Sequence, residues 1–430
     1  MSQENISDTA PVEGETDLTF GLELEFILAT VDEGKPDPHP KDPREVDGKK
    51  LSSTFVIDQE IGKKLRAVGI PAIVEEEKPT KEEYKTCWVM KSDITVGDDE
   101  DGPGKVTQEW NELYTKNGME ISSPPYYYTK PAKDAITKVL KTIRENYRVC
   151  VDGTAGLHVH VGNSYNGLQF PILKHLLAIA HTYEPLLMLI FPSERVSDNP
   201  WCPPLFNSRL TKKHPDLTRA EVLENILGYT DNESLLYDFG ESLGSGRLGF
   251  NLVGLATPYK NEQRTIEFRH HHGSLDPEAI LNWIHVCIKL VEKACFAKSD
   301  ELSTQLRQDI AKPIGFDEGD LSTIDFFMWL GCPAQAYYYC ANMVTDKDAL
   351  KQRIEYDATC REHFLKWARH RLQVEAEDSG EDEGQDSSKE SEPTTSNSES
   401  TDENEADQDE GNDESGDSGE NPSNSNEDDS

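Results

Sequence analysis

Several signatures of common enzyme classes are missing from this 430-residue chain. Its eight cysteines include no Cys-x-x-Cys pair, which fits the reduced thiols of an intracellular protein better than a disulfide framework or a zinc knuckle. No Gly-x-x-x-x-Gly-Lys-Ser/Thr run is present, and no Gly-x-Gly-x-x-Gly follows a strand, so neither a P-loop nor a dinucleotide-binding turn is available. No apolar run reaches the roughly 20 residues of a membrane span, because residues 171–191 are broken by Lys174, His175, His181 and Glu184. The polar, acidic residues 1–17 lack the apolar core of a signal peptide and read as a disordered N-terminus. Basic residues are scarce, 43 Lys and Arg against 81 Asp and Glu, which argues against nucleic acid or anionic membranes as partners. A cytoplasmic location is the expectation.

The acidity is unevenly spread. From Val374 onward there are 23 Asp and Glu and a single Lys, so this segment carries -22 of the formal charge of -38. Almost without aliphatic or aromatic residues, it cannot offset its ordering entropy, and residues 373–430 read as a disordered tail that offers at most a docking segment for a protein partner. Residues 18–372 remain as one folded domain, long enough to bury a sizeable core.

Within that domain four segments alternate with period two, the signature of strands with one apolar face. Residues 18–30 set Leu22, Leu24 and Phe26 against Glu23 and Glu25. Residues 118–125 set Met119 and Ile121 against Glu120 and Ser122 before a double proline. Residues 156–162 set Leu157, Val159 and Val161 against His158 and His160, and residues 265–273 set Ile266 and Phe268 against Glu267, Arg269 and His271. Further strands are expected at 70–75, 88–96 and 248–255, and the Pro- and Lys-rich stretch 32–53 reads as an unpacked loop. Helices are expected at 58–68, 132–147, 168–191 with a kink or interruption at Pro185, 218–227, 301–311, 320–330 and 346–372. Asp276-Pro277-Glu278 is a helix start, and the helix it opens runs to about Phe296. Strands and helices mix without a regular βαβ cadence, so the class is α+β with a largely antiparallel sheet.

A polar strand face is usually a solvated one. Here, however, four strands repeat Glu and His, with one Arg, where a water-facing sheet would mix in Lys, Thr and Ser. Carboxylates held this close repel by about 4 kcal/mol per close pair at an effective dielectric near 20, and divalent cations relieve that repulsion. Oxygen donors with one imidazole suit Mg²⁺ or Mn²⁺ better than structural zinc. Metal ions plus a guanidinium are what phosphoryl transfer requires.

Taken in order, Gly21-Leu-Glu-Leu-Glu-Phe26, Gly118-Met-Glu-Ile-Ser-Ser-Pro-Pro125, Gly156-Leu-His-Val-His-Val-Gly162, Thr265-Ile-Glu-Phe-Arg269 and Gly273-Ser-Leu-Asp276 resemble the successive motifs of the amidoligase family, carboxylate-amine ligases related to glutamine synthetase and glutamate-cysteine ligase. The resemblance implies a curved sheet with helices on its convex face and a concave face that binds ATP with Mg²⁺ or Mn²⁺. It implies metal ligation by Glu23, Glu25, Glu120, His158 and Glu267, and a phosphate-binding Arg269. Arg247 and Asn251 match a family Arg and Asn that precede the last motif, Arg247 as a catalytic group and Asn251 at the nucleotide. Leu248 stands where an aromatic is common, and Ala155 where the family has a Cys.

The implied reaction is ATP-dependent amide formation through an acyl phosphate, from a small-molecule or peptide carboxylate and an amine. On the residues themselves, His160 reads as a hydrogen-bonded residue supporting the cofactor site. His271 should line the site while His270 and His272 pack, since consecutive strand residues face opposite ways. Asp93 either joins the site or is solvated, and Cys150 reads as an inert thiol. Two other functions fit the same residues: a non-catalytic nucleotide- or peptide-binding module, and a metal-dependent amide hydrolase.

Overall fold

The long strand β1 (Thr19–Thr30) is the spine of the fold in the computed structural model, which describes residues 17–97, 108–164, 166–196, 199, 201–240, 247–256, 264–315, 317–340 and 347–380. One edge of β1 pairs with β5 (Tyr126–Tyr127) and then β4 (Thr115–Ser122), the other with β7 (Gly156–Gly162) and then β6 (Val149–Cys150). Outside these lie β3 (Trp88–Ser92), β2 (Ala72–Val74), β9 (Ile266–His272) and β8 (Phe250–Asn251), in the order β2-β3-β4-β1-β7-β9-β8. Among the paired strands of the described residues only β2 and β3 run parallel, so the open sheet is mixed and mostly antiparallel, and the class is α+β.

The alternation read from sequence sorts the two faces. Leu22, Leu24, Phe26, Met119, Ile121, Leu157, Val159 and Phe268 are buried in one large core, together with Trp283, Ile284 and Cys287 of the Pro277–Phe296 helix. That helix starts as expected, with the Asp276 side chain accepting from Glu278 N and Pro277 in the first turn. It packs on β7 and on the Phe170–Met188 helix, which runs through Pro185 without a break. The Thr54–Ala67 and Lys130–Asn146 helices complete the layer. No helix among the described residues is long and apolar enough to cross a membrane.

The polar face is not uniformly polar. Past Glu25, Ile27, Ala29 and Val31 are covered by small apolar groups that include Val46, Val96, Tyr114 and Ala155. The 32–53 segment, expected as an unpacked loop, is tied down here. Val31 N donates to Val46 O at 2.8 Å, and the buried Arg148 guanidinium makes two bonds to the Asp37 carboxylate, at 2.6 and 2.7 Å. A polar segment can pack when one buried cation collects its carboxylates and carbonyls.

Several element ends also differ from expectation. The strand expected at 88–96 stops at Ser92, the one expected at 248–255 is the two-residue β8, and the last helix runs from Lys347 to Gly380. The short helices Lys81–Thr86 and Ser193–Val196 carry too few apolar residues to give a periodic signal.

Asp58, in the Thr54–Ala67 helix, is fully buried, and among the described residues neither carboxylate oxygen has a hydrogen-bond partner. Burial, reinforced by Glu76 and Glu75, pushes its carboxyl up to about 7. An acid raised this way binds its proton more tightly in the folded state, so its cost to stability grows as pH rises from about 4 and is complete above about 7. Asp58→Asn should therefore gain on the wild type by about 2 kcal/mol between pH 5.5 and pH 8.5 in urea denaturation. A pH-independent difference would contradict this assignment.

Candidate functional site

The pairing register builds the site. Glu25 lies directly across from Glu120, Glu23 across from Ser122 on one side and His158 on the other, and Glu267 across from His160 and Asn251. Side chains opposite one another in antiparallel strands stand about 5 Å apart at Cβ, so this register alone brings the acids into contact range.

Two ligand-spaced groups result among the described residues. One oxygen each from Glu23 and Glu267 and a ring nitrogen of His160 lie within 4.8 Å of one another, as do one oxygen each from Glu25, Asp93 and Glu120. Asp93, left open by the sequence, joins the second group because the turn after β3 stays against β4, Asp93 N donating to Gly118 O at 3.0 Å. Only glycine fits at 118, since a Cβ there would stand 2.1 Å from Asp93 O. His158 lies between the groups, its Nδ1 3.1 Å from Glu23 and 3.4 Å from Glu267, and its Nε2 3.6 Å from Glu25.

Each carboxylate has a partner. Glu267 accepts from Arg269 Nη1 and Asn251 Nδ2, Glu25 from Gly156 N at 2.6 Å, and Glu120 from Ser122 Oγ while pairing with Lys91 Nζ at 2.9 Å. Burial disfavours the charged form of Glu23, but His160 and His158 outweigh it and hold the carboxyl well below its usual range. Burial likewise disfavours charge at Glu267, where His160 and Arg269 prevail and hold the carboxyl low. His160 shows the reciprocal effect: burial opposes its cation, yet Glu23 and Glu267 hold it above the usual imidazole range. At Glu120 burial wins, and with Glu23 nearby the carboxyl is pushed up to about 8 despite Lys91.

The donor sets fit divalent cations. They are dominated by oxygen, and the buried His160 Nε2, 3.2 Å from Glu23 Oε1, has no well-aligned hydrogen bond among the described residues. Beside the first group a cleft of about 200 Å³ opens between β1, β3 and the Lys81–Thr86 helix, lined by Lys91, Lys85, Tyr84, Ser122 and Ser123.

A β-bulge rearranges the rest of β9. Val159 pairs with Phe268 and Leu157 with His271, so three steps on β9 match two on β7. The extra residue reverses the alternation. Glu267 and Arg269 stay on the polar face, but His271 shares the core face with Leu157, its ring edge-on to Phe191 at 5.2 Å and 5.8 Å from the Trp283 ring. The expectation that His271 lines the site therefore fails on geometry: burial drives its imidazole down to about 3, and Nδ1 pairs with His272 O. His270 turns toward Phe250 and Glu184, and His272 is exposed.

Of the other expected residues, Asn251 is buried against Glu267, whereas Arg247 is exposed before β8 and takes no part in the hydrogen-bonded network among the described residues. Cys150 matches the inert-thiol reading, its thiol pushed up to about 12 by burial. Sequence reasoning missed Lys91 and Arg195. Arg195 is buried, donates from Nη2 to Arg269 O at 2.9 Å, and reaches so close to Gly156 that a Cβ there would stand 2.4 Å from that nitrogen. Its signal was weak, because it follows the long apolar helix on a four-residue turn with no strand alternation.

A family model described as "putative amidoligase enzyme" matches residues 16–291, a span holding the nine strands of the described residues and both carboxylate groups. The chain belongs to the amidoligase family. Membership suggests a ligase-type enzyme, and no curated protein matches the chain.

If the two groups each hold a cation, Glu120→Gln should lower Mn²⁺ stoichiometry from two to one in a titration followed by electron paramagnetic resonance. Because cation binding must displace the Glu120 proton, the same variant should release about one proton fewer at pH 7, measured by calorimetry in buffers of different ionisation enthalpy. Unchanged stoichiometry and proton release would contradict the second group.

Proposed function

We propose that this member of the amidoligase family is an ATP-dependent carboxylate-amine ligase that works through an acyl phosphate. The observation that carries the reading is the placement of two oxygen-rich groups on one sheet face with the Arg269 guanidinium bound to a member of the first. On this reading the open sheet is a version of the glutamine synthetase-like catalytic sheet, and its polar face takes the nucleotide triphosphate.

Glu23, His160 and Glu267 would hold one Mg²⁺ or Mn²⁺, and Glu25, Asp93 and Glu120 a second. Such cations neutralise charge on phosphate oxygens during transfer. The protein's own groups do the positioning. Arg269 is oriented by Glu267 and by its Nε bond to Trp201 O at 3.1 Å, which leaves a guanidinium edge for the γ-phosphoryl oxygens. Asn251 fixes the second oxygen of Glu267. His158 bridges Glu23 and Glu267, and Arg195 holds the Arg269 backbone from behind. The cleft beside Glu23 admits the acid, whose carboxylate meets the Lys91 and Lys85 ammonium groups.

The balance of the reaction is simple. A substrate carboxylate oxygen attacks the γ-phosphorus, the bond from that phosphorus to the bridging oxygen breaks, and ADP leaves. The amine nitrogen then attacks the acyl carbon, phosphate departs with its electron pair, and the amine gives up a proton.

Incubated with Mg-ATP and pools of acids and amines, the protein should release ADP and phosphate in step with amide. Glu267→Gln should abolish turnover, and Arg269→Lys should lower kcat by about 10²–10³-fold, since an ammonium cannot reproduce the planar fork. AMP and pyrophosphate as products, or amide hydrolysis without ATP, would overturn the reading. ATP binding with no turnover in any pool would favour the binding module.

A further inference from the structure

A second cavity lies within the helices, away from the carboxylate face. Pro185 has no N–H to give the His181 carbonyl, one turn back in the Phe170–Met188 helix. Arg219 covers this corner, its Nη2 donating to Thr182 O at 2.9 Å and reaching His181 O at 3.5 Å, while the His181 Nε2–H donates to Arg219 O at 2.9 Å. The Lys347–Gly380 helix crosses the same corner, and between them is a cavity of about 170 Å³.

Its walls are of two kinds. Met188, Leu189, Phe206 and Ile354 make an apolar body. Arg219 and Arg361 line it as well, the Arg361 guanidinium 6.0 Å from the Phe206 ring centroid and its buried Nε without a hydrogen-bond partner among the described residues. The acids at the cavity are already engaged. Glu184, itself buried, accepts Leu205 N at 3.0 Å on both oxygens and lies 3.5 Å from His270 Nε2. Asp357 is paired with Arg353 at 3.1 Å. His181 adds no charge, because burial pushes its imidazole down to about 3. Two guanidinium groups thus face a small, mostly apolar space, sharing the buried Glu184 as a nearby counter-charge but with no ion pair to either among the described residues.

We propose that this cavity binds a small organic carboxylate with an apolar body of about one ring, the carboxylate held by Arg361 and Arg219. The size follows from the volume, since a cavity of about 150 Å³ accommodates benzene. The charge follows from guanidinium geometry, which matches a carboxylate with two parallel bonds. No lining residue is shared with the two carboxylate groups, so the site stands or falls independently of the ligase reading.

Benzoate titrated into the full chain by calorimetry tests this, with benzyl alcohol supplying the ring without the charge and inorganic phosphate the charge without the ring. Benzoate should saturate one site and bind at least tenfold more tightly than either. Arg361→Gln should weaken it at least tenfold. Ala358→Phe, at an exposed helix position lining the cavity, should do the same while leaving both arginines in place. Equal binding of benzyl alcohol or phosphate, no saturable benzoate binding, or benzoate binding that persists in whichever of the two variants retains the wild-type circular-dichroism spectrum would overturn the proposal.

Discussion

Repulsion among the carboxylates gathered on one sheet face is the constraint that organises this structure. Glu23, Glu25, Glu120 and Glu267 are kept close by strand register, which the buried apolar row on the opposite face enforces. A slip of one residue in β1 would send the acids into the core and Leu22, Leu24 and Phe26 into the site. The repulsion is met by local counter-charge: imidazoles at Glu23, a guanidinium and an amide at Glu267, a backbone N–H at Glu25, and Lys91 at Glu120. Glu120 remains incompletely compensated, which is why its carboxyl rises while those of Glu23 and Glu267 fall.

The legible part of the site is what period-two alternation encodes. Glu23, Glu25, Glu120, His158, His160, Glu267 and Arg269 all lie on the face assigned to them, because regular antiparallel strands translate sequence parity directly into side-chain direction. His271 broke the rule, since a bulge changes parity without leaving a mark in composition, and here it falls within a run of three histidines. Asp93, Lys91 and Arg195 reach the site through a turn, an outer strand and a short helix, which are tertiary facts that no local pattern carries. The loop at 32–53 misled for a related reason: its polarity is real, but its partner, Arg148, lies about a hundred residues away.

The two proposals rest on environments that differ in kind. The sheet face surrounds its carboxylates with matched cations, which on the ligase reading suits a polyanion accompanied by metal. The helical corner inverts the arrangement, with guanidinium groups facing apolar walls, which on the proposal above suits one modest anion with little water. The chain connects them physically: Glu184, at the edge of the helical cavity, lies 3.5 Å from His270, the neighbour of Arg269 on β9.

The account rests on the two ligand-spaced groups acting as adjacent divalent-cation sites. Anomalous diffraction from crystals soaked in Mn²⁺ addresses it most directly. Two anomalous peaks are predicted, one between Glu23, His160 and Glu267 and the other between Glu25, Asp93 and Glu120. A polar face without a peak, with Mn²⁺ instead at the exposed His272 or at surface acids, would contradict it.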